Sequence, residues 1–254
     1  MSATSTGVLQ EKGLSPASVQ SVRRTLRAAL NAHPTLQTNP AKDAAGPRVP
    51  RHEIEPEDLW TADDAKRFLS HADDDMAALV RLALDSGARL GELLALRWSD
   101  IDGTEVTIRR TVAADDGPTL RFDTPKNDKA RKVELDVRTF GVLTKMRQRQ
   151  DAEPVADMGG LVFRRPTSAG FQPWRPDSTT HAFQRQSKAA GVRVIAFHYL
   201  RHTCATWLLD AGMPVTEVSK RLGHWAPSFT LDRYSHTVAG RQRELASVVG
   251  DKLS

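Results

Sequence analysis

A cationic cluster at the start of a predicted helix is the first feature of the sequence that could do chemistry. The run HYLRHTCATWLL places His198, Arg201 and His202 at positions i, i+3 and i+4, which share one face of a helix. The amino end of a helix adds partial positive charge and N–H groups without intrahelical partners. Two imidazoles, a guanidinium and a helix end together suit an anionic oxygen, such as that of a phosphate.

Further residues could complete a site for phosphate transfer. His224 lies in the run LGHW, and Tyr234 follows ten residues later as one of only two tyrosines. Upstream, Arg89 comes just after Gly87, and Lys126 lies at the tip of a predicted strand pair. At pH 7 roughly one tyrosine in 10³ is ionised, so a tyrosine nucleophile needs a neighbouring base or positive field. The arginines would supply that field and bind the non-bridging oxygens, on which negative charge builds.

The residues and their order resemble the catalytic domain of the tyrosine recombinase (phage integrase) family. That family shows G-x-R-x-x-E, a lysine in a hairpin turn, H-x-L-R-H, L-G-H and a final tyrosine. The resemblance runs from roughly Thr61 to Leu245. Two positions depart from the pattern without removing a catalytic group: Tyr199 stands where Asp is frequent, and Asn127 where Thr or Ser is usual. The matching segments are Ser86 to Glu92, Thr124-Pro125-Lys126, His198 to His202, Leu222-Gly223-His224, and Tyr234 with His236 after it.

The resemblance implies a reaction and a role for each residue. Tyr234 would attack a DNA phosphodiester, while Lys126 protonates the departing 5′-oxygen. His198 would handle the tyrosine proton, and His224 would orient a phosphate oxygen. The 3′-phosphotyrosyl product conserves the energy of the phosphodiester, so a 5′-hydroxyl from another strand could reseal the DNA without ATP. No metal or other cofactor is expected, because arginines supply the positive charge. The implied catalytic residues are Arg89, Lys126, His198, Arg201, His224 and Tyr234.

Each of these residues taken singly also has a simpler interpretation. Arg89 and Lys126 could be solvated surface charges. His198 and His202 could form half of a zinc site, although no glutamate stands at position 199 and no further ligand is evident. Tyr234 could be a half-buried aromatic residue with a hydrogen-bonded hydroxyl. The joint order and spacing of five motifs favours the catalytic interpretation.

Three other polar features have structural interpretations. Glu92 is predicted to lie on the same helical face as Arg89 and to orient an arginine. The acidic run Asp73-Asp74-Asp75 is typical of a helix start, where carboxylates are favoured. Cys204 lies among apolar residues and is predicted to be a small core residue.

Composition bounds the class of protein. The chain has 254 residues, enough for one large domain with its own core. It has no apolar run near the ~18 residues that a membrane span needs, so no membrane partner is expected. The 36 Lys and Arg against 31 Asp and Glu give a net charge of +5, which favours a polyanion such as DNA or RNA. The single cysteine and the polar first residues favour a cytosolic location. The absence of the usual phosphate-loop motifs argues against dinucleotide cofactors and ATP hydrolysis.

Periodicity predicts a mainly α fold with a small three-stranded antiparallel sheet, of the α+β class, as in the catalytic domain that the chain resembles. The strands are expected at 103–112, 118–126 and 130–136, and a short apolar segment at 161–163. Apolar residues at helical spacing, with capping signals such as Thr61 to Asp64, predict helices at about 15–33, 62–72, 74–86, 137–151, 178–190, 200–211, 214–221 and 237–249.

A domain boundary is expected near residue 57. Five prolines between 34 and 57 predict an extended linker. Residues 1–57 are therefore interpreted as the remnant of a helical core-binding domain with its linker, and 58–254 as the catalytic domain. Loss of DNA contacts from the first region would weaken DNA binding, because affinity depends on the number of phosphates neutralised.

The function expected from the resemblance is site-specific DNA recombination, as an integrase in the integration or excision of mobile DNA. The expected partners are double-stranded DNA with attachment-type sites, further copies in a homotetramer held by the C-terminal segment, and accessory DNA-bending or directionality proteins. The expected setting is the bacterial nucleoid or a phage-infected cell. Two alternatives remain: a truncated, catalytically weak DNA-binding remnant of an integrase, and topoisomerase-like strand relaxation by the same covalent chemistry.

Overall fold

The computed structural model describes residues 9, 11–33, 38–39, 41–42, 46–49, 54–114, 120–124, 130–153, 160–168 and 170–223. The chain divides into two compact units, Met1–Glu53 and Ile54–Ser254. This boundary lies four residues before the one expected after residue 57, and Ile54 is already buried in the second unit beside Leu59.

The first unit contains the helix α1 (Pro16–Ala32), whose bounds match the predicted helix to within one residue. Ser15 caps it by accepting a hydrogen bond from a backbone N–H of the first turn. The helix carries an apolar stripe at helical spacing, in which Val19 is fully buried, whereas Val22 and Leu26 are 44% and 47% exposed. The middle of the stripe is therefore in contact with solvent.

The second unit is mainly helical, and its helix starts follow local sequence signals. Thr61 Oγ1 accepts a hydrogen bond from the Asp64 N–H, and the Asp64 carboxylate accepts one from the Thr61 N–H, which confirms the predicted capping box. Asp73 caps the next helix. Every predicted helix that falls on described residues is present, with ends within two residues of those expected. They are α2 (Ala62–His71), α3 (Asp74–Ser86), α5 (Val137–Asp151), α6 (Pro176–Ala189), α7 (Tyr199–Asp210) and α8 (Val215–Leu222).

Several short elements carry no periodic signal and were not predicted. The helix α4 (Leu90–Leu94) has only five residues, which is too short to show an amphipathic repeat. Two 3-10 turns lie at Pro56–Asp58 and Trp98–Asp100.

The predicted helix at 237–249 lies outside the described residues. Among the helices that the structure describes, none is long and apolar enough to cross a membrane.

The strands form one three-stranded antiparallel sheet and two separate hairpins, which corrects the predicted pairing. The predicted strand at 103–112 is broken at Arg109 and Arg110, which both pair with the buried Asp100 carboxylate. Its two halves join different sheets, and the predicted middle strand pairs only with the second half. The sheet has the order β1 (Ile101–Asp102), β2 (Glu105–Ile108), β5 (Arg131–Glu134), and the hairpins are β3 (Thr111–Ala114) with β4 (Leu120–Asp123) and β6 (Arg164–Thr167) with β7 (Gly170–Pro173).

An aromatic cluster joins the start of the second unit to α6 and to the segment before α7. The rings of Trp60, Phe68 and Phe183 lie 5.1 to 5.4 Å apart, and Phe197 meets Phe183 edge-on at 5.2 Å. The backbone N–H of Trp60 also donates a hydrogen bond of 3.3 Å to Thr203 Oγ1 on α7. These contacts fix the amino end of α7, where the predicted cationic cluster lies.

Removing one of these rings tests the core. Phe183 is fully buried and contacts three other aromatic rings, so Phe183→Ala is expected to lower the free energy of unfolding by about 3–5 kcal/mol. Urea denaturation at 25 °C measures this change. Val137→Ala, at a side chain that is 69% exposed, is the control and is expected to cost less than about 0.5 kcal/mol. Equal losses in the two variants would contradict this account of the core.

Candidate active site

The amino end of α7 holds Arg201 in a buried position. Its side chain is 3% exposed, and its Nη1 donates a hydrogen bond of 2.7 Å to the carbonyl oxygen of Gly87, a residue 114 positions earlier. A guanidinium taken out of water must have its donors matched, and a backbone carbonyl is a strong acceptor. The bond therefore fixes Arg201 against the turn that follows α3.

Gly87 makes this close approach possible. It ends α3 in the left-handed conformation, with φ of 63°, which glycine adopts without steric cost. A Cβ at this position would lie 2.5 Å from Leu222 Cδ2 and 3.3 Å from Cys204 Sγ. The turn is thus in direct contact with both α7 and α8, and it leads to Arg89 two residues later.

The two histidines of α7 differ in their exposure. His198 stands at the N-cap position and is exposed, whereas His202 is 6% exposed. Their rings meet edge to face with centroids 4.8 Å apart, and the Tyr199 ring lies 5.5 Å from that of His202. His198 is therefore the imidazole of the pair that a ligand in solvent can reach.

Arg89 is held by Glu92, as the sequence predicts. The Arg89 N–H donates to Glu92 Oε2 at 2.9 Å, and its Nη1 donates to Oε1 at 3.0 Å. The Arg89 side chain keeps 37% of its surface exposed, while the Glu92 carboxylate is 2% exposed. One edge of the guanidinium is therefore anchored by a buried anion, and part of it remains accessible to solvent.

Sequence reasoning missed a second arginine on the same carboxylate. Arg131, at the start of β5, donates from Nη1 to Glu92 Oε1 at 3.1 Å and from Nη2 to Oε2 at 2.6 Å. Burial alone would raise the pKa of Glu92, but the hydrogen bonds and charge of Arg131, with those of Arg89, hold it below its ordinary value. Glu92 is therefore an ionised carboxylate between two guanidinium groups.

The carboxyl end of α8 is tied to the same region. Arg131 Nε donates to the carbonyl oxygen of Arg221 at 3.1 Å. The Arg221 side chain in turn donates to the Asp85 carbonyl at 2.7 Å and to the Asp85 carboxylate at 3.0 Å. Gly223 is the C-cap residue of α8 and directly precedes His224, one of the predicted catalytic residues.

Three of the six predicted catalytic residues are placed by the structure. Arg89 and Arg201 meet the same turn around Gly87, and His198 lies one helical turn before Arg201. Lys126, His224 and Tyr234 lie outside the described residues. Within the described ranges, no group of three His, Cys, Asp or Glu side chains is arranged to hold a metal ion.

The other polar features behave as the sequence predicts. Cys204 is buried, and that burial raises the pKa of its thiol to about 11. Asp73 caps α3, while Asp74 and Asp75 both pair with Arg149 on α5. The acidic run is thus a helix start tied to a surface arginine.

The charge on Glu92 gives a testable dependence of stability on pH. Because its pKa is lowered by folding, the ionised carboxylate stabilises the fold above its ordinary value of 4.5, and this contribution is lost as the pH falls through the lowered value. Glu92→Gln leaves Arg131 without its anion and is expected to lower the free energy of unfolding by about 3 kcal/mol at pH 7. The loss should shrink in acid, as measured by urea denaturation at several pH values.

Glu105→Gln is the matched control, because Glu105 pairs with Lys132 on the surface of the same sheet. It is expected to cost less than about 1 kcal/mol at any pH. A loss for Glu92→Gln that did not change between pH 7 and strong acid would show that the charge of Glu92 does not stabilise the fold.

The sequence also matches known proteins. The profile of the phage integrase family matches residues 59–241. ICEBs1 integrase of Bacillus subtilis (strain 168) is 26% identical over 258 residues, covering 96% of this chain and 68% of the relative. A XerC-like tyrosine recombinase of Caldanaerobacter subterraneus is 27% identical over 238 residues, covering 85% and 60%. The integrase of Salmonella phage P22 is 26% identical over 204 residues, covering 75% and 47%. The chain thus spans 47% to 68% of the length of these relatives.

Solved structures share the fold. The Tn1549 transposon integrase in complex with transposon right end DNA gives a TM-score of 0.70 at 22% identity, covering 94% of this chain and 82% of that one. XerA recombinase gives 0.56 at 22% identity, covering 87% and 71%. The predicted fold class, a mainly α tyrosine recombinase catalytic domain with a small antiparallel sheet, is confirmed by this likeness. The family profile covers most of the residues from the start of the second unit to beyond Tyr234, and the chain belongs to the phage integrase family.

Proposed function

We propose that the chain acts as a site-specific DNA recombinase that cuts and rejoins DNA through a 3′-phosphotyrosyl intermediate on Tyr234. The observation that carries this proposal is the 2.7 Å hydrogen bond from Arg201 to Gly87, because it ties both predicted arginines to one turn of the chain. The family match supports it, since residues 59–241 include all six predicted catalytic residues.

The two arginines suit the transition state of phosphoryl transfer. Negative charge builds on the non-bridging oxygens when a fifth oxygen approaches phosphorus, and guanidinium groups stabilise that charge through directed hydrogen bonds. Arg89 has an exposed fraction available for such contacts, while Glu92 fixes its orientation. Arg201 lies in the first turn of α7, where the helix dipole also favours an anion.

The remaining steps follow from the residues that the family resemblance assigns. The Tyr234 oxygen forms a bond to phosphorus as the bond from phosphorus to the 5′-oxygen breaks. The phenol proton passes to His198, and Lys126 gives a proton to the departing 5′-oxygen. His224 orients a phosphate oxygen. A 5′-hydroxyl from another strand reverses these transfers, reforming the phosphodiester and releasing Tyr234, so that neither ATP nor a metal ion is consumed or required.

The organisation and partners are part of the same proposal. We assign residues 58–254 to the catalytic domain and 1–57 to part of a helical core-binding domain with its linker. The proposed substrate is double-stranded DNA with attachment-type sites, supported by the solved Tn1549 integrase complex with transposon right end DNA. We further propose that the chain assembles as a tetramer through its C-terminal segment. Accessory DNA-bending or directionality proteins would take part, and the reaction would occur in a bacterial or phage-infected cytoplasm.

Covalent trapping tests the nucleophile. The protein is incubated in EDTA with nicked duplexes tiled across the DNA that flanks its gene, and protein with attached DNA is detected on a denaturing gel. We expect an adduct with the wild-type protein and none with Tyr234→Phe, because only Tyr234 carries the attacking hydroxyl. Tyr199→Phe is the matched control, since it removes the only other phenol in the chain, and it is expected to form the adduct.

The outcomes of trapping separate the alternatives. No adduct from folded wild-type protein on any duplex would overturn the proposal and favour a DNA-binding remnant. An adduct in Tyr234→Phe would assign the nucleophile elsewhere. Relaxation of a supercoiled plasmid with a single site, without exchange between two sites, would favour topoisomerase-like activity.

The arginines give a second prediction. Arg89→Lys or Arg201→Lys keeps the charge but loses the planar fork of donors, and each is expected to slow adduct formation about 10²- to 10³-fold. The rate is measured in a single turnover at saturating protein. Arg138→Lys, on a side chain that is 81% exposed, is the control and should retain the wild-type rate. Unchanged rates in both site variants would remove the arginines from the mechanism.

A further inference from the structure

Arg131 joins two parts of the candidate active site through one guanidinium. Two of its nitrogens bind the Glu92 carboxylate, at 3.1 and 2.6 Å, and the third binds the Arg221 carbonyl at 3.1 Å. The side chain is 11% exposed, so these partners, rather than water, receive its hydrogen bonds. A residue of β5 thereby links the carboxylate that orients Arg89 to the last turn of α8.

We propose that Arg131 is a positioning residue for DNA cleavage, which fixes the orientation of Arg89 through Glu92 and keeps the group of Arg89, Glu92 and Arg131 net positive. The inference rests on the proposed function, because it assumes that Arg89 meets the scissile phosphate.

The charge balance explains why a second arginine is needed. Glu92 alone would neutralise Arg89, and the pair would offer little net attraction to a phosphate. With Arg131 present, two guanidinium charges face one carboxylate, and the group retains a net charge of about +1. Arg131 thus lets Glu92 orient Arg89 without cancelling its charge.

The geometry explains why the residue is an arginine. A planar fork can bind both oxygens of a carboxylate in parallel while Nε points elsewhere, and a lysine ammonium cannot reproduce that arrangement. Here the fork meets Glu92 on α4, and Nε meets the Arg221 carbonyl on α8. Both contacts are made by the same planar guanidinium, so a movement that changes the contact with Glu92 also changes the contact with the Arg221 carbonyl.

Gly223 provides the space for this link. It ends α8 with φ of 70°, and a Cβ there would lie 2.9 Å from Arg131 Cδ and 3.0 Å from both Nε and Nη1. Any larger residue would push the guanidinium away from its partners. The loss of Arg131 itself does not release α8, because Arg221 also binds Asp85 and the Glu134 carbonyl.

The test uses the full chain and the nicked duplex that traps the wild-type protein. Arg131→Met is expected to slow single-turnover adduct formation about 10- to 100-fold, with Kd for the duplex within about threefold of wild type. Arg131→Lys, which keeps the charge, should lie between. Arg164→Met is the structural control: Arg164 is 5% exposed and pairs with Glu153, so its loss should lower Tm and leave the rate unchanged.

A double variant distinguishes an effect of Arg131 through Arg89 from a non-specific loss of structure. If Arg131 acts through Arg89, then adding Arg131→Met to Arg89→Lys should slow the reaction by no more than about threefold further. Losses that multiply, a rate for Arg131→Met that equals that of Arg164→Met, or a weakened Kd with an unchanged rate would each overturn the inference. Failure of the wild-type protein itself to form the adduct would instead overturn the proposed function, and this inference with it.

Gly223→Ala tests the contact from the other side. It is expected to slow adduct formation about tenfold, because its Cβ displaces Arg131. Gly191→Ala carries the same backbone strain, with φ of 64°, but has open space around its Cβ, so it should keep the wild-type rate. Equal rates in the two alanine variants would contradict a role for the Gly223 contact.

Discussion

A carboxylate that is 2% exposed stays ionised only when cations and hydrogen-bond donors compensate the loss of water, and Glu92 satisfies this condition with two arginines. The requirement shapes the fold around it. Arg89 is the N-cap residue of α4, β5 supplies Arg131, and a carbonyl in the last turn of α8 accepts the remaining hydrogen bond of Arg131. Three elements distant in sequence are thus fixed relative to one buried charge.

A second link, from Arg201 to the Gly87 carbonyl, fixes α7 against the same turn. One link is to a backbone group and the other to a side chain. Arg201 is held by the carbonyl at the end of α3, and Arg89 is held by Glu92 on α4. The aromatic cluster around Phe183 holds the segment that leads into α7, so the hydrophobic core and the polar site share a boundary.

Local signals in the sequence predicted much of this structure. Helix bounds followed from periodicity and caps, as at Thr61 and Asp73, because those interactions join residues within one turn. The contact between the His198 and His202 rings followed from their spacing of four residues. The pairing of Arg131 with Glu92 could not be predicted, since the two are separated by 39 residues and an arginine at the start of a strand is usually a surface residue.

The strand pairing failed for a related reason. Alternation indicates a strand but not its partner, and the break at Arg109 depends on a buried Asp100 that precedes the sheet. The five residues of α4 were too few to show a period. Lys126, His224 and Tyr234 stay predictions, because they rest on motif spacing and lie outside the described residues.

The buried thiol has a practical consequence for spectroscopy. Cys204 is the only cysteine of the chain, and burial raises its pKa to about 11, so almost none of it is thiolate at neutral pH. Maleimide and similar reagents need an accessible thiolate. A cysteine introduced on the surface, for example at Val22 of α1, can therefore carry a fluorophore or spin label without background from the native residue. With a second surface cysteine introduced in the second unit, distances between the two compact units in solution become measurable while Cys204 is left in place.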